Sequence, residues 1–227
     1  MNGIYLRGKN SIADTNRQKL WDTGVRYVYA DIDDLGTAQN AANDCAYQGF
    51  KFGVHYRLRY PPEQGSVATQ LVIVGEKLQA LQQIKGLTWL PFLLVLERSP
   101  EYPFCETNMY RNMVDSFLAG MPNAMVRMNK ATIDWLTPSA KILARPLWLH
   151  APTKDVQYAP WKQFAYRSYA ERDIQGTMAE WVEEWVQPQE AVIEDNSQKD
   201  LLSDSEKIDF VYQAVKKLIV ALGSQEW

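Results

Sequence analysis

The sequence predicts an α/β fold built on a parallel sheet, and three observations lead there. Strand-like apolar runs alternate with helical patterns along the first half of the chain, the rhythm of repeated strand–helix units. The run Leu90 to Glu97, Leu-Pro-Phe-Leu-Leu-Val-Leu-Glu, is apolar up to a single terminal carboxylate, as expected of a strand covered on both faces that delivers one group to a site. Gly24, Gly49 and Gly86 each stand at the end of a helical pattern and before a strand-like one.

Taken in order, Gly3 to Arg7 reads as a short strand, and Asp14 is placed to cap a helix that runs through Trp21 and ends at Gly24. Val25 to Ala30 is the next strand, opening into Asp31, Asp33 and Asp34. A helix over Thr37 to Tyr47 and a strand over Phe50 to Arg57 follow. After a loop with Pro61, Pro62 and Gly65, a long helical pattern from Val67 to Gln83 leads to the Leu90–Glu97 strand. Glu106 to Gly120 is helical, with Met109, Met113 and Phe117 on one face. Ala124 to Asn129 reads as a strand, Ala131 to Leu136 as a short helix, and Leu143 to His150 and Trp161 to Tyr169 as two more strands with little room for a helix between them. Such units form either a doubly wound sheet or a closed barrel whose second half is irregular.

Residues 186–203 are dominated by Gln, Glu, Asp and Ser, the composition of a polar linker. Beyond it, Ser203 and Glu206 form a capping box, and Ile208, Val211, Val215, Leu218 and Leu222 recur at helical steps before Gly223. The predicted division is therefore a barrel over 1–185, a linker over 186–203 and an amphipathic helix over 204–227. The stripe Ile208 to Leu222 must be buried, against the chain's own barrel or against a protein partner.

The composition excludes several function classes. A net charge of −3 gives no basic field for nucleic acid or an anionic membrane, and no apolar run is long enough to span a bilayer. Two distant cysteines, Cys45 and Cys105, read as buried thiols. The amino terminus lacks the pattern of a signal peptide, which predicts a soluble protein, cytoplasmic as synthesised. His55 and His150 have no accompanying ligands at metal-binding spacing, and no glycine-rich phosphate loop or nucleophile elbow occurs, so no metal or cofactor is expected. Eight Trp and twelve Tyr are the one excess, and flat aromatic faces suit sugars and protein surfaces alike.

The ordered series Gly3-Ile4, Gly24-Val25-Arg26-Tyr27-Val28-Tyr29, Gly53-Val54-His55-Tyr56, Leu90 to Glu97 and Leu147-Trp148-Leu149 resembles the strands of glycoside hydrolase family 25, the lysozyme-like muramidases, over residues 3–185. The resemblance implies a modified TIM-type β/α barrel with irregular last strands, here followed by the C-terminal helix. It also implies a set of carboxylates at the barrel mouth: an Asp in an opening Gly-Ile-Asp, an Asp-x-Glu ending the fourth strand, and an Asp near the last strand. Here Tyr5 replaces the first, Val95 and Glu97 stand at the pair, and Glu180 is the nearest stand-in for the last.

Glycoside hydrolysis needs two groups with opposed proton affinities. Glu97 supplies one, with Asp33, Asp34 or Glu180 as candidate partners. Arg57 and Arg127, at strand ends expected to ring the mouth, would neutralise Glu97 rather than leave it a proton donor. Tyr5, Tyr56, Trp148 and Tyr166, with those two arginines, are the candidate ligand-binding set. The expected function is therefore non-catalytic: a lysozyme-like barrel kept as a binding or structural module, recognising glycan or peptidoglycan or built into a phage or prophage particle. The alternative is an active cell-wall muramidase pairing Glu97 with a non-standard second carboxylate.

Overall fold

The computed structural model describes residues 1–8, 10, 12, 16–59, 65–97, 107–150, 161 and 164–184. The predicted Asp14 cap, Cys105, the linker and the helix Ile208 to Leu222 lie outside these. The strands are β1 (Asn2–Tyr5), β2 (Val25–Asp31), β3 (Lys51–Arg57), β4 (Thr88–Trp89), β5 (Leu93–Val95), β6 (Met125–Met128), β7 (Leu147–His150), β8 (Phe164–Ile174) and β9 (Thr177–Glu184). They hydrogen-bond in the order β2-β1-β9-β8-β7-β6-β5-β3, and a β2–β3 pairing closes the ring into an eight-stranded barrel, with the short β4 continuing β5 along β3. The helices are α1 (Arg17–Asp22), α2 (Leu35–Gln48), α3 (Val67–Gln82), α4 (Thr107–Gly120), α5 (Lys130–Leu136) and α6 (Ala140–Leu143).

Local chemistry accounts for most boundaries. Asp34, Ser66, Asn129 and Ser139 each accept a hydrogen bond from the backbone N–H three residues on, starting α2, α3, α5 and α6. Gly49 ends α2 at a φ of 80°, a left-handed conformation that suits glycine.

Three expectations need correction. The stretch Leu90 to Glu97 is not one unbroken strand: Leu90, Pro91 and Phe92 separate β4 from β5, because a proline has no N–H for the ladder. Leu90 N–H to the Phe52 carbonyl at 2.7 Å and Met125 N–H to the Phe92 carbonyl at 2.8 Å keep the segment in line. The strand expected from Leu143 begins only at Leu147, after α6 and Pro146. The strand expected over Trp161 to Tyr169 is β8, shifted to Phe164–Ile174, and it continues into an antiparallel partner that the pattern did not reveal. Gln175 and Gly176, with φ of 55° and 82°, make the two-residue turn between them, and β9 then closes the barrel by pairing antiparallel to β1.

Alternation along each strand sorts the apolar side chains into two layers. Ile4, Val28, Ala30, Phe52, Val54, Leu94, Leu96, Val126, Leu147 and Leu149 pack outward with the helices. Tyr5, Tyr27, Tyr29, Leu93, Val95, Met125, Trp148 and Val182 fill the barrel lumen. The lumen rings need room that two glycines provide: a Cβ on Gly3 would lie 2.2 Å from the Tyr27 ring, and one on Gly53 would lie 2.4 Å from the Tyr29 ring.

Candidate functional site

The same alternation carries charged side chains inward one step beyond the aromatic lumen. Arg7 lies two residues past Tyr5, Arg57 two past His55, Glu97 two past Val95 and His150 two past Trp148, all at the carboxyl ends of parallel strands. β9 runs the other way, so its early residue Glu180, in register with Tyr5, arrives at the same mouth. Arg127, on β6, sits opposite Val95 and Trp148.

Arg127 is the hub. It is 1% exposed, with its guanidinium 4.5 Å over the Tyr5 ring. Nη1 donates to Glu97 Oε1 at 3.1 Å, and Nη2 donates to both oxygens of Glu180 at 2.7 and 2.9 Å. The two carboxylates therefore stand one guanidinium apart. Arg57 Nη2 lies 3.2 Å from the other oxygen of Glu97. Arg7 Nε donates to Glu180 at 2.6 Å, and His150 Nδ1 is 3.2 Å from Glu180 Oε2 and 3.2 Å from Ser168 Oγ.

Burial alone would raise the Glu180 carboxyl, but the hydrogen bond from His150 and the charges of Arg127, His150 and Arg7 outweigh it and hold the group down at about 2. Glu180 is thus a fixed anion at neutral pH. Below Arg127, the Tyr5 hydroxyl lies 3.1 Å from His55 Nδ1, and His55 Nε2 lies 2.8 Å from the Leu6 carbonyl. A carbonyl only accepts, so Nε2 carries the imidazole proton and Nδ1 accepts from Tyr5. Burial, with a smaller push from Arg127 against the pull of the Leu6 bond, takes His55 down to about 3, which keeps it neutral. Burial likewise raises Tyr5, so its hydroxyl keeps its proton.

Beside this network lies a cavity of about 420 Å³ lined by Arg7, Glu97, Asn129, Ala131, Thr132 and His150. Chemically, both Glu97 oxygens and both Glu180 oxygens are occupied by donors of the protein itself.

The structure gathers Glu97, Glu180, Arg57, Arg127 and Tyr5 in one place, with Trp148 and Tyr166 in the lumen beneath. It does not bring Asp33, Asp34 or Tyr56 into that set of contacts. Asp33 is paired with Arg59 at 2.9 Å and Lys77 at 3.7 Å, and Asp34 caps α2 through Thr37 N–H. Tyr56 points outward, where it stacks on Phe117 and donates to Gln70 at 2.9 Å, because it alternates with the inward His55. Arg7, Asn129, Thr132 and the mouth role of His150 were missed at the sequence level. The signal for Arg7, Asn129 and His150 was the period of two counted from Tyr5, Arg127 and Trp148.

No family model matches this chain, and no curated protein matches it in sequence. Solved structures do resemble it. A muramidase from Acremonium alcalophilum superposes with a TM-score of 0.60 at 15% identity, over 94% of this chain and 99% of that one. The modular autolysin LytC from Streptococcus pneumoniae, in complex with a synthetic peptidoglycan ligand, gives 0.55 at 13% identity over 80% of this chain and 46% of that one. The catalytic domain of endolysin ply40 from bacteriophage P40 of Listeria monocytogenes gives 0.53 at 10% identity over 93% and 98%. At such identities the likeness is one of architecture, and in architecture this chain is a lysozyme-like barrel of the kind found in glycoside hydrolase family 25.

Proposed function

We propose that this chain is a non-catalytic lysozyme-like barrel whose mouth serves as a glycan-binding module for peptidoglycan or a related polymer. One observation carries the reading: buried Arg127 is wedged between Glu97 and Glu180 and donates to both. An acid for the leaving oxygen must hold a proton, and its partner must present unspent negative charge to the sugar. Glu180 is held as an anion with both oxygens accepting from Arg7, Arg127 or His150, and the negative charge of Glu97 is shared with Arg57 and Arg127. The glycan part of the proposal draws support from the architecture shared with a muramidase and with an autolysin solved with a peptidoglycan ligand. The likeness to a phage endolysin domain is what supports a place in a phage or prophage particle.

A second reading, an active muramidase in which Glu97 works with Glu180, is favoured by the meeting of these two carboxylates at one mouth beside a cavity. Purified protein and a Glu97→Gln variant, incubated with peptidoglycan and chitooligosaccharides, separate the two. Binding by the parent, with no release of reducing ends by either protein, is the expected outcome. Turnover by the parent that disappears in Glu97→Gln would overturn the non-catalytic reading.

A further inference from the structure

We propose that the mouth cavity selects an anionic sugar, a glycan unit bearing a carboxylate or a phosphate, over a neutral one; this rests on the glycan-binding reading above. The argument starts from what each polar group at the mouth has left to offer. Glu97 and Glu180 are the carboxylates of the network, and each of their oxygens already accepts from Arg7, Arg57, Arg127 or His150. Glu180, buried with two contacts on each oxygen, presents no acceptor capacity to a ligand, and Glu97 spends one site of each oxygen on an arginine.

Donors are what remain. Arg7 spends Nε on Glu180, yet its side chain is 38% exposed and lines the cavity. Arg57 reaches Glu97 through one terminal nitrogen and is 55% exposed. Asn129 accepts the Thr132 N–H with Oδ1 to cap α5, so the amide turned away from that bond is its NH₂ donor. In charge, Arg7, Arg57 and Arg127 face Glu97 and Glu180, and Arg57 also acts on Asp31, so guanidiniums and carboxylates balance and what the mouth offers a ligand is its unspent donors. Because Arg127 and Glu180 are buried, their charges are screened less than those of a surface pair. A cavity of about 420 Å³ into which Arg7 and Asn129 bring unspent donors fits one sugar ring carrying an oxyanion. A neutral sugar would leave the terminal Arg7 donors with a weaker acceptor.

The test is calorimetric titration of the full chain at low salt with three probes: tri-N-acetylchitotriose, trigalacturonic acid and N-acetylglucosamine 6-phosphate. A charged hydrogen bond gained by the ligand predicts that at least one acidic probe binds about tenfold or more tightly than the neutral one. That preference should weaken as salt is raised and fall in both Arg7→Gln and Arg57→Gln. Which acidic probe wins identifies carboxylate or phosphate as the source. Arg57→Gln alters only a half-exposed side chain and remains informative if Arg7→Gln fails to fold. Arg59→Gln, in the separate Asp33 cluster, should leave the preference unchanged, and an equal fall there would overturn the proposal. Equal affinity for neutral and acidic sugars also overturns it while leaving the glycan-binding reading intact. Failure of all three probes to bind removes both.

Discussion

Within one barrel, the lower lumen and the mouth are filled by opposite chemistry on the same strands. Below, Tyr27, Tyr29, Trp148 and Tyr166 contact one another ring to ring at centroid separations of 5.0 to 6.5 Å, with Leu93, Val95 and Val182 closing the gaps. One alternation further on, the interior is Arg127, Glu97, Glu180, Arg7 and His150. The aromatic half gains free energy from area removed from water and from edge-to-face ring contacts. In the ionic half, the cost of desolvating Arg127 and Glu180 offsets most of their attraction, so a buried pair of this kind is weak evidence for stability. The difference teaches that the lumen accounts for why the barrel is closed, while the mouth adds little net stability for the charges it buries.

That contrast can be broken first at its hub. Arg127→Met leaves Glu180 buried without its principal counter-charge and should cost about 3–5 kcal/mol, measured by denaturant unfolding. Adding Glu180→Leu should return most of that loss if the mouth contributes little net stability. A double variant as unstable as the single one would show instead that the ionic half holds the barrel together.

Acid provides the next test. His55, ordinarily near 6.5 and held at about 3 in the fold, binds more protons in the unfolded chain between those values. Its contribution is full above 6.5 and is lost as pH falls toward 3. Glu180, ordinarily near 4.5 and held at about 2, gives up its contribution as pH falls from 4.5 to 2. Thermal midpoints should therefore decline below pH 6.5 and more steeply below 4.5, and His55→Gln should remove the upper part of the decline.

On the aromatic side, Gly53→Ala forces a Cβ against the Tyr29 ring and should cost about 1–3 kcal/mol by overpacking. A neutral result in thermal unfolding would mean the lumen is less tightly filled than its geometry implies. The smallest effect belongs to the second ion cluster, where Arg59 is 39% exposed beside Asp33. Arg59→Gln should change stability by at most about 1 kcal/mol, and a larger loss would blur the distinction between buried and open pairs.

Much of this architecture was legible in the chain. The strand–helix rhythm and the glycine stop at Gly49 are local chemistry, readable wherever a few neighbouring residues decide the outcome, and the caps at Asp34 and Ser66 follow the same rule although they were not marked. The β8–β9 hairpin was not, because its partner strand carries charges at Glu180, Glu183 and Glu184 that mask the apolar alternation. Pro91 interrupts the apolar run by a local fact, its missing N–H, which the hydrophobicity of its neighbours hides. At the site, Glu97, Arg57 and Arg127 could be marked as strand-end charges, and Glu180 as a stand-in. Nothing local separated them from Asp33 and Asp34, which are also acids at strand ends but are held by Arg59, Lys77 and a helix cap.

The sequence by itself determined the strand–helix order from β1 to α3 and the single carboxylate at the end of its most apolar run, since these depend on periodicity and on neighbours along the chain. Only the tertiary structure decided that Glu97 and Glu180 share one guanidinium. That meeting depends on β9 turning back to close the barrel antiparallel to β1, and on Arg127 arriving from a third strand between them. A charge in the low-dielectric interior is governed by partners that folding brings from far along the chain, which is why its role could not be read from its own neighbourhood.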